Sequence, residues 1–387
     1  MVNLKVKNIA QIQEANIELG DFTVFIGPQA SGKSIVLQLL KLVRDGFDIK
    51  TTIKRYGYDW NGNKKDFLQL YFGEGMGNII KNESSISLDG QPFSVRSILS
   101  SRRGKKESVF LIPAQRVMTV QNGWPRNFMS YETFDPYVVK KFSEDLRLLM
   151  EAGLGGGTKS GLFPQSGRMK KQLRDKIDES IFFGASVKLD KRTPKKRIML
   201  DVGNNEMLPY MEWSAGQREF MPLLLGLYWL MPSSKIQKRD NIKYVVIEEP
   251  EMGLHPMAIQ ALLLTFLELI KRGYKVILST HSPVVLELCW TITMMQEEKA
   301  KPDHLFELFE ISRKSAGIKK IFRKIVFESK FKTYYFDREN GGVKVRDISS
   351  LDPSEDNNII ADWGGITSFS TRASEIISNI MIEKDVV

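Results

Sequence analysis

The chain has 387 residues, 42% hydrophobic and 26% charged, ordinary values for a globular protein with room for a sizeable core. Its 56 Lys and Arg outnumber 46 Asp and Glu, a formal charge of +10 that permits an acidic partner such as nucleic acid without demanding one. No segment approaches the roughly eighteen apolar residues of a membrane helix, the nearest being Leu223–Met231, so no membrane partner is expected. Met1–Ala10 alternates in polarity and lacks the apolar centre of a signal peptide. The single cysteine, Cys289, excludes an intrachain disulfide framework and fits a reducing, cytoplasmic setting. Next to Trp290 in apolar surroundings, it reads as a buried thiol.

Leu4, Val6 and Ile9 alternate with Lys5 and Lys7, which predicts a half-buried strand. Phe22–Ile26 is almost wholly apolar, as a strand covered on both faces is. It runs into Gly27-Pro28-Gln29-Ala30-Ser31-Gly32-Lys33-Ser34 and then a helical apolar run from Ile35 to Leu42. Turn signals at Asn61-Gly62, Gly73–Gly77 and Asp89-Gly90 predict a β-rich stretch over 50–100. Val109–Ile112 is a further short strand. Residues 123–212, with glycines between 153 and 157 and helical stretches near Tyr137–Glu151 and Lys170–Phe183, read as an inserted, mainly helical lobe. Beyond 213 the pattern returns to α/β. Gln217–Met231 and Met257–Lys271 are predicted helices, and Tyr244–Ile247 and Lys275–Thr280 buried strands. A hairpin at 331–350 turns at Asn340-Gly341-Gly342, and a helix spans about 370–382. The expected units are 1–122 and 213–330 as two parts of one domain, 123–212 as the lobe, and 331–387 as a terminal hairpin and helix.

Strand, glycine loop and helix form the setting of a P-loop. Triphosphate needs many donors at once. Gly27 and Gly32 let the backbone amides turn inward, and the helix start adds its positive dipole end. Lys33 can reach the outer phosphates, and the Ser34 hydroxyl can ligate Mg²⁺. A second motif, Tyr244–Pro250, ends an apolar strand in Glu248 and Glu249. Glu248 is placed to hold Mg²⁺, and Glu249 to orient or deprotonate an attacking water. Ser214-Ala215-Gly216-Gln217 opens a helix, where Ser214 and Gln217 can form a capping box and also an anion site. His281, directly after a buried strand, can donate to a γ-phosphate or to the attacking water.

In this order the four motifs resemble the ABC-type ATPases. Within them they look most like the soluble SMC/RecF-like branch and its relatives of the overcoming-lysogenisation-defect (OLD) type. Ser214–Gln217 is similar to the signature, Glu248–Pro256 to Walker B and the D-loop, His281 to the switch histidine, and Gln115 to the Q-loop glutamine. The resemblance implies an α/β ATPase head with a mixed sheet, an N-terminal antiparallel β region and an inserted helical lobe. It implies ATP and Mg²⁺ bound by residues 27–34, with Ser34, Glu248 and Gln115 as metal ligands and Glu249, His281 and Gln115 as catalytic groups. It further implies a head-to-tail dimer in which Ser214, Gly216 and Gln217 close on the nucleotide of a second copy.

Three features depart from the pattern. Glu248 stands where an Asp is usual, Gln29-Ala30 where Asn-Gly is common, and the spacing is too short for long coiled-coil arms. Asp337, Asp347, Asp352 and Asp356 form no nuclease-like metal pattern. An ATPase without its own nuclease implies a separate effector, such as a nuclease or toxin in anti-phage defence. The alternatives are a RecF-like DNA-binding ATPase using the clusters Arg102–Lys106 and Lys191–Arg197, and a slow-turnover nucleotide-dependent scaffold.

Overall fold

Val2–Ile9 (β1) buries Leu4, Val6 and Ile9 as predicted and pairs around Ala10 and Gln11 with Ile12–Leu19 (β2), a second alternating strand that the sequence reading did not include. Phe22–Ile26 (β3) is buried at every position. These coordinates come from a computed structural model that describes residues 2–153, 161–190, 194, 196–232, 238–339 and 341–385. After the glycine loop comes Lys33–Arg55 (α1). The β-rich expectation for 50–100 is corrected here. Lys64–Phe72 is a helix (α2), capped by Asn63 and burying Phe67, Leu68 and Tyr71. Only Ile80–Leu88 (β4) and Gln91–Pro92 (β5) are strands, followed by the short helix Val95–Ser100 (α3). Asn61-Gly62 does take the positive φ of a turn, but the turn joins two helices.

Val109–Ile112 (β6) is fully buried, and Val120–Gln121 (β7) pairs with Trp124–Pro125 (β8). The reading of 123–212 as mainly helical omitted a sheet. Tyr137–Ala152 (α4) and Lys171–Ile177 (α5) are helices. However, Ser186–Asp190 (β9), Arg197–Gly203 (β10) and Glu206–Pro209 (β11) form a three-stranded antiparallel sheet. Its charges pair across strands, Lys188 with Asp201 and Arg197 with Asp190, which is why a strand here reads as a basic loop. Of that second basic cluster, Lys191, Arg192 and Lys195 lie outside the described residues, as do 154–157 of the glycine-rich stretch. Helix α4 also packs on the main sheet, Phe142 meeting Phe110 edge-on with ring centres 5.8 Å apart.

Ala215–Leu230 (α6) contains Pro222, which has no N–H for the Arg218 carbonyl; the Tyr210 hydroxyl donates to that oxygen instead at 2.8 Å. Then follow Tyr244–Glu248 (β12), Pro256–Lys271 (α7), Lys275–Ser279 (β13), Pro283–Glu297 (α8), His304–Leu308 (α9) and Ala316–Glu328 (α10). Phe331–Glu339 (β14) and Gly342–Asp347 (β15) make the predicted hairpin, and Asn358–Ala361 (α11) and Ser368–Asp385 (α12) end the chain. Residue 340 of the hairpin turn lies outside the described residues.

Ten strands form one mixed sheet in the order β5-β4-β1-β2-β15-β14-β3-β13-β12-β6. From β14 to β6 neighbours run parallel; β1, β2, β4 and β5 supply the antiparallel side. The sheet separates two cores. Phe22, Val24 and Ile26 face the one built with α6, α7 and α8, while Phe25 faces the one built with α1. Among the described residues no helix is long and apolar enough to cross a membrane.

A buried ionic group ties α1 to β6. The Lys41 ammonium donates to Glu107 Oε1 at 2.8 Å and to the Val109 carbonyl at 2.6 Å. Asp45 accepts from the Ser108 N–H and hydroxyl and from the Val109 N–H, at 2.7–2.9 Å. Removing one member of such a group strands the others, so Lys41→Met is expected to destabilise the protein by about 3 kcal/mol, read from the urea midpoint.

Candidate functional site

Strands β3, β13, β12 and β6 are parallel neighbours, so the loops that follow them meet at one sheet edge. They are Gly27–Gly32, Thr280–Ser282, Glu249–His255 and the 3-10 turn Ala114–Thr119. The first has φ of 142° at Gly27, 56° at Ala30 and 94° at Gly32. A Cβ on Gly27 would stand 2.8 Å from the Phe336 carbonyl oxygen, so this position requires glycine on both counts. No side chain caps α1 and no acid occupies its first turn, which leaves a helix start suited to an anion. The Lys33 ammonium folds back onto its own loop, donating to the Gly27 carbonyl at 2.7 Å and the Pro28 carbonyl at 2.9 Å. Burial lowers its pKa, against the pull of Glu249 and Glu251. A cavity of about 330 Å³ lies over residues 29–35, with Gln11 and Glu249 in its wall.

Glu248 is 1% exposed. One carboxylate oxygen accepts weakly from the Ala114 N–H at 3.5 Å; the other has no hydrogen-bond partner among the described residues. Burial pushes the carboxyl up to about 7, while the Ala114 N–H, Ser34 and Gln38 act in the opposite direction. A buried, half-satisfied carboxylate next to a hydroxyl is a donor set that fits Mg²⁺, with Ser34 and Glu248 as its protein ligands. Among the described residues no group of three or more His, Cys, Asp or Glu could hold a metal. Mg²⁺ does not need one, because it keeps waters and phosphate oxygens and takes only one or two protein ligands.

Glu249 holds a left-handed φ of 44°, which costs a non-glycine residue about 1 kcal/mol. Its N–H donates to the Ser279 carbonyl at 3.0 Å, and its Oε1 stands 3.9 Å from His281 Nε2. Burial lowers the His281 pKa, Lys33 adds to this, and Glu249 and Glu251 oppose it. The structure therefore brings Lys33, Glu249 and His281 to the same edge, with Ser34 against Glu248. Gln115 is exposed and does not line the cavity.

Ser214 and Gln217 form the predicted capping box: the Ser214 hydroxyl accepts from the Gln217 N–H at 3.3 Å and the Gln217 side chain accepts from the Ser214 N–H at 3.2 Å. Gln217 also donates to the Ile181 carbonyl at 3.1 Å. Gly216 has a reason of its own to be glycine, since a Cβ there would fall 2.7 Å from the Gly253 carbonyl oxygen. Ser214 is exposed, and none of Ser214, Gly216 and Gln217 lines the cavity over Lys33.

Sequence reasoning missed five side chains here. Gln11 donates to the Ala30 carbonyl at 2.8 Å and Arg338 to the Gln29 carbonyl at 3.0 Å, so two distant hairpins brace the loop. Gln38 lies one helical turn after Ser34 on the same face, a spacing that could have revealed it. Glu251 accepts from the Thr280 hydroxyl at 2.7 Å and the His281 N–H at 2.5 Å, fixing the loop that carries His281. Arg116 is 0% exposed, and its Nη1 donates to the carbonyls of both Glu248 and Glu249 at 3.1 Å. Its only sequence signal was adjacency to Gln115.

Residues 134–287 match the family described as "AAA domain, putative AbiEii toxin, Type IV TA system". That span includes Ser214–Gln217, Glu248, Glu249 and His281 and leaves out the glycine loop. No curated protein matches the chain. Among solved structures it is similar to the SMC head domain from Thermotoga maritima, at 13% identity over 89% of this chain and 97% of that one, TM-score 0.38. It is also similar to a Pyrococcus furiosus Smc head domain with an extended coiled coil bound to the C-terminal domain of ScpA, at 13% identity over 90% and 96%, TM-score 0.40. A third is the dimeric bacterial ABC transporter cassette MJ0796, at 12% over 72% and 88%, TM-score 0.32.

The Glu248 shift predicts a pH effect. Its folded pKa of about 7 stands above the ordinary 4.5, so the folded state takes up a proton over that interval. The charged form is penalised above pH 7, and the penalty fades as pH falls towards 4.5. Without metal or nucleotide, Glu248→Gln is therefore expected to be more stable than the parent by about 3 kcal/mol at pH 8, the difference vanishing near pH 4.5 in denaturant titrations.

Proposed function

We propose that the protein is a Mg²⁺-dependent ATPase of the ABC type whose catalytic site is completed by a second copy bound head to tail. One observation carries this reading. The cavity over Lys33 is lined by the glycine loop and Glu249, with His281 3.9 Å from Glu249, while the capped helix start at Ser214–Gln217 lies outside that cavity with Ser214 exposed. A helix start that reaches the surface outside its own chain's cavity can offer its amides to the phosphate held by a neighbour.

In this arrangement the Lys33 ammonium exchanges the Gly27 and Pro28 carbonyls for phosphate oxygens. The glycine loop and the start of α1 hold the remaining phosphate charge. Ser34 and Glu248 would hold Mg²⁺, which would supply neutralising charge to the phosphoryl oxygens. Glu249 accepts the proton of the attacking water, and a neutral His281 donates to the γ-phosphate. Gln115, exposed and outside the cavity, takes no part in this arrangement. Ser214, Gly216 and Gln217 of the second copy close over the same γ-phosphate.

The wider role we assign is the ATPase component of an anti-phage system acting with a separate effector, such as a nuclease or toxin. The matched family's description, which names a toxin and a toxin–antitoxin system, supports that setting. A second reading, DNA binding in a RecF-like role, is favoured by the exposed run Arg102, Arg103, Lys105 and Lys106. Its test is the salt dependence of DNA binding, which neutralising that run should flatten.

Lys33→Ala is expected to weaken ATP binding by roughly 30-fold or more in a fluorescent-nucleotide titration. Retained affinity removes the P-loop assignment. Glu249→Gln is expected to lower turnover by at least ~100-fold while an ATP-bound dimer accumulates in size-exclusion light scattering. Unchanged turnover would exclude Glu249 as the base.

A further inference from the structure

Arg116 is among the largest fully buried side chains of the described residues, and neither the P-loop nor the phosphate chemistry uses it. It leaves the turn after β6 and reaches two separate elements. Nη1 bonds the successive carbonyls of Glu248 and Glu249. Nε donates at 3.1 Å to the carbonyl of Glu219, in the second turn of α6, and Nη2 stands 3.6 Å from the Glu219 carboxylate. Two successive backbone carbonyls converge on one nitrogen because Glu249 is left-handed. The bonds to Arg116 thus hold the conformation that aims the Glu249 side chain. At the other end, the first turns of α6 lie on the loop after Glu249: Gly216 touches the Gly253 carbonyl, and the Glu219 side chain would crowd any Cβ on Gly253. A planar guanidinium can bond three carbonyls in different directions at once, whereas an ammonium is a point charge with no such fork.

We propose that Arg116 is a positioning residue that couples the two halves of the composite site. It locks the carboxylates of its own chain's nucleotide cavity to the helix start that the same chain presents to its neighbour. The proposal rests on the head-to-tail reading above. A chain whose Glu248–Glu249 turn is set for Mg²⁺ and water then holds α6 at the angle its neighbour's nucleotide requires. The two nucleotide sites of a dimer communicate through Arg116 of each chain. Nη2 and the facing Glu219 oxygen each lack a hydrogen-bond partner among the described residues, so the pair retains capacity to tighten when the surfaces close.

The test compares Glu249→Gln with the double variant Glu249→Gln/Arg116→Lys, reading two quantities. One is affinity for a fluorescent ATP analogue at protein concentrations too low for dimers. The other is the dimer dissociation constant in Mg²⁺–ATP by analytical ultracentrifugation. The expected result is nucleotide affinity within about threefold and a dimer weakened roughly tenfold or more. A merely structural Arg116 would lower both together with the folded fraction, so parallel losses, or an unchanged dimer, overturn the coupling. If the double variant does not fold, Glu249→Gln/Glu219→Gln replaces it. This variant keeps the arginine and its carbonyl bonds, and its dimer is expected to weaken about fivefold at constant nucleotide affinity. An unchanged dimer there overturns the proposal equally. Absence of any ATP-dependent dimer in Glu249→Gln alone would instead overturn the two-chain site, and the coupling with it.

Discussion

Ile247 pairs with Leu278 across β12 and β13, and Leu278 with Val24 across β13 and β3. This parallel register decides where every polar group of the site stands. All three strands are buried along almost their whole length, so a shift of one residue would place apolar and polar side chains in the wrong cores. With the register fixed, β3 ends at the glycine loop, β12 at Glu248 and β13 at Ser279, side by side. The chemistry is thus positioned by hydrophobic packing several residues away from it.

The edge carries local costs that this packing must offset. Glu248 is buried with little to satisfy it, Glu249 sits in a left-handed conformation, and Lys33 is drawn out of water onto carbonyls of its own loop. Each would relax if the loops were free. They are not free, because they are braced from three sides: by β1–β2 through Gln11, by the turn after β6 through Arg116, and by Glu251 through the Thr280 hydroxyl and the His281 N–H. Polar groups held in unfavourable states by a rigid surround are characteristic of binding and catalytic sites.

Much of this was legible in the residues. The all-apolar run at 22–26, the loop at 27–34 and the acidic strand end at 248–249 each follow from local composition, whereas the mixed sheet was implied only by the family resemblance of the motifs. What was not legible depended on partners distant in sequence. Glycine and asparagine turns over 50–100 indicate reversals but not what is reversed, so α2 went unread between the turns at Asn61-Gly62 and Gly73. The sheet β9–β11 was hidden by charges that are cross-strand pairs rather than a solvated loop. Arg116 looked like one more cation, since nothing in Pro113-Ala114-Gln115-Arg116 shows that the glutamine faces water and the arginine faces the core.

The hairpin at 331–347 shows the same dependence at its strongest. By sequence it is a terminal addition, some three hundred residues from the glycine loop; in space it closes the gap between the parallel and antiparallel parts of the sheet, β14 on β3 and β15 on β2. Phe336 packs so tightly against Gly27 that no Cβ fits between them, and Arg338 holds the Gln29 carbonyl. On its other flank Tyr335 packs against Gly364, whose neighbour Trp363 is buried against Trp290 of α8. The conformation of the phosphate loop is therefore not a property of residues 27–34 alone. It is imposed by a strand made late in the chain, and a loop of this sequence without β14 beside it would lose the contacts that keep Gly27 and Gln29 in place.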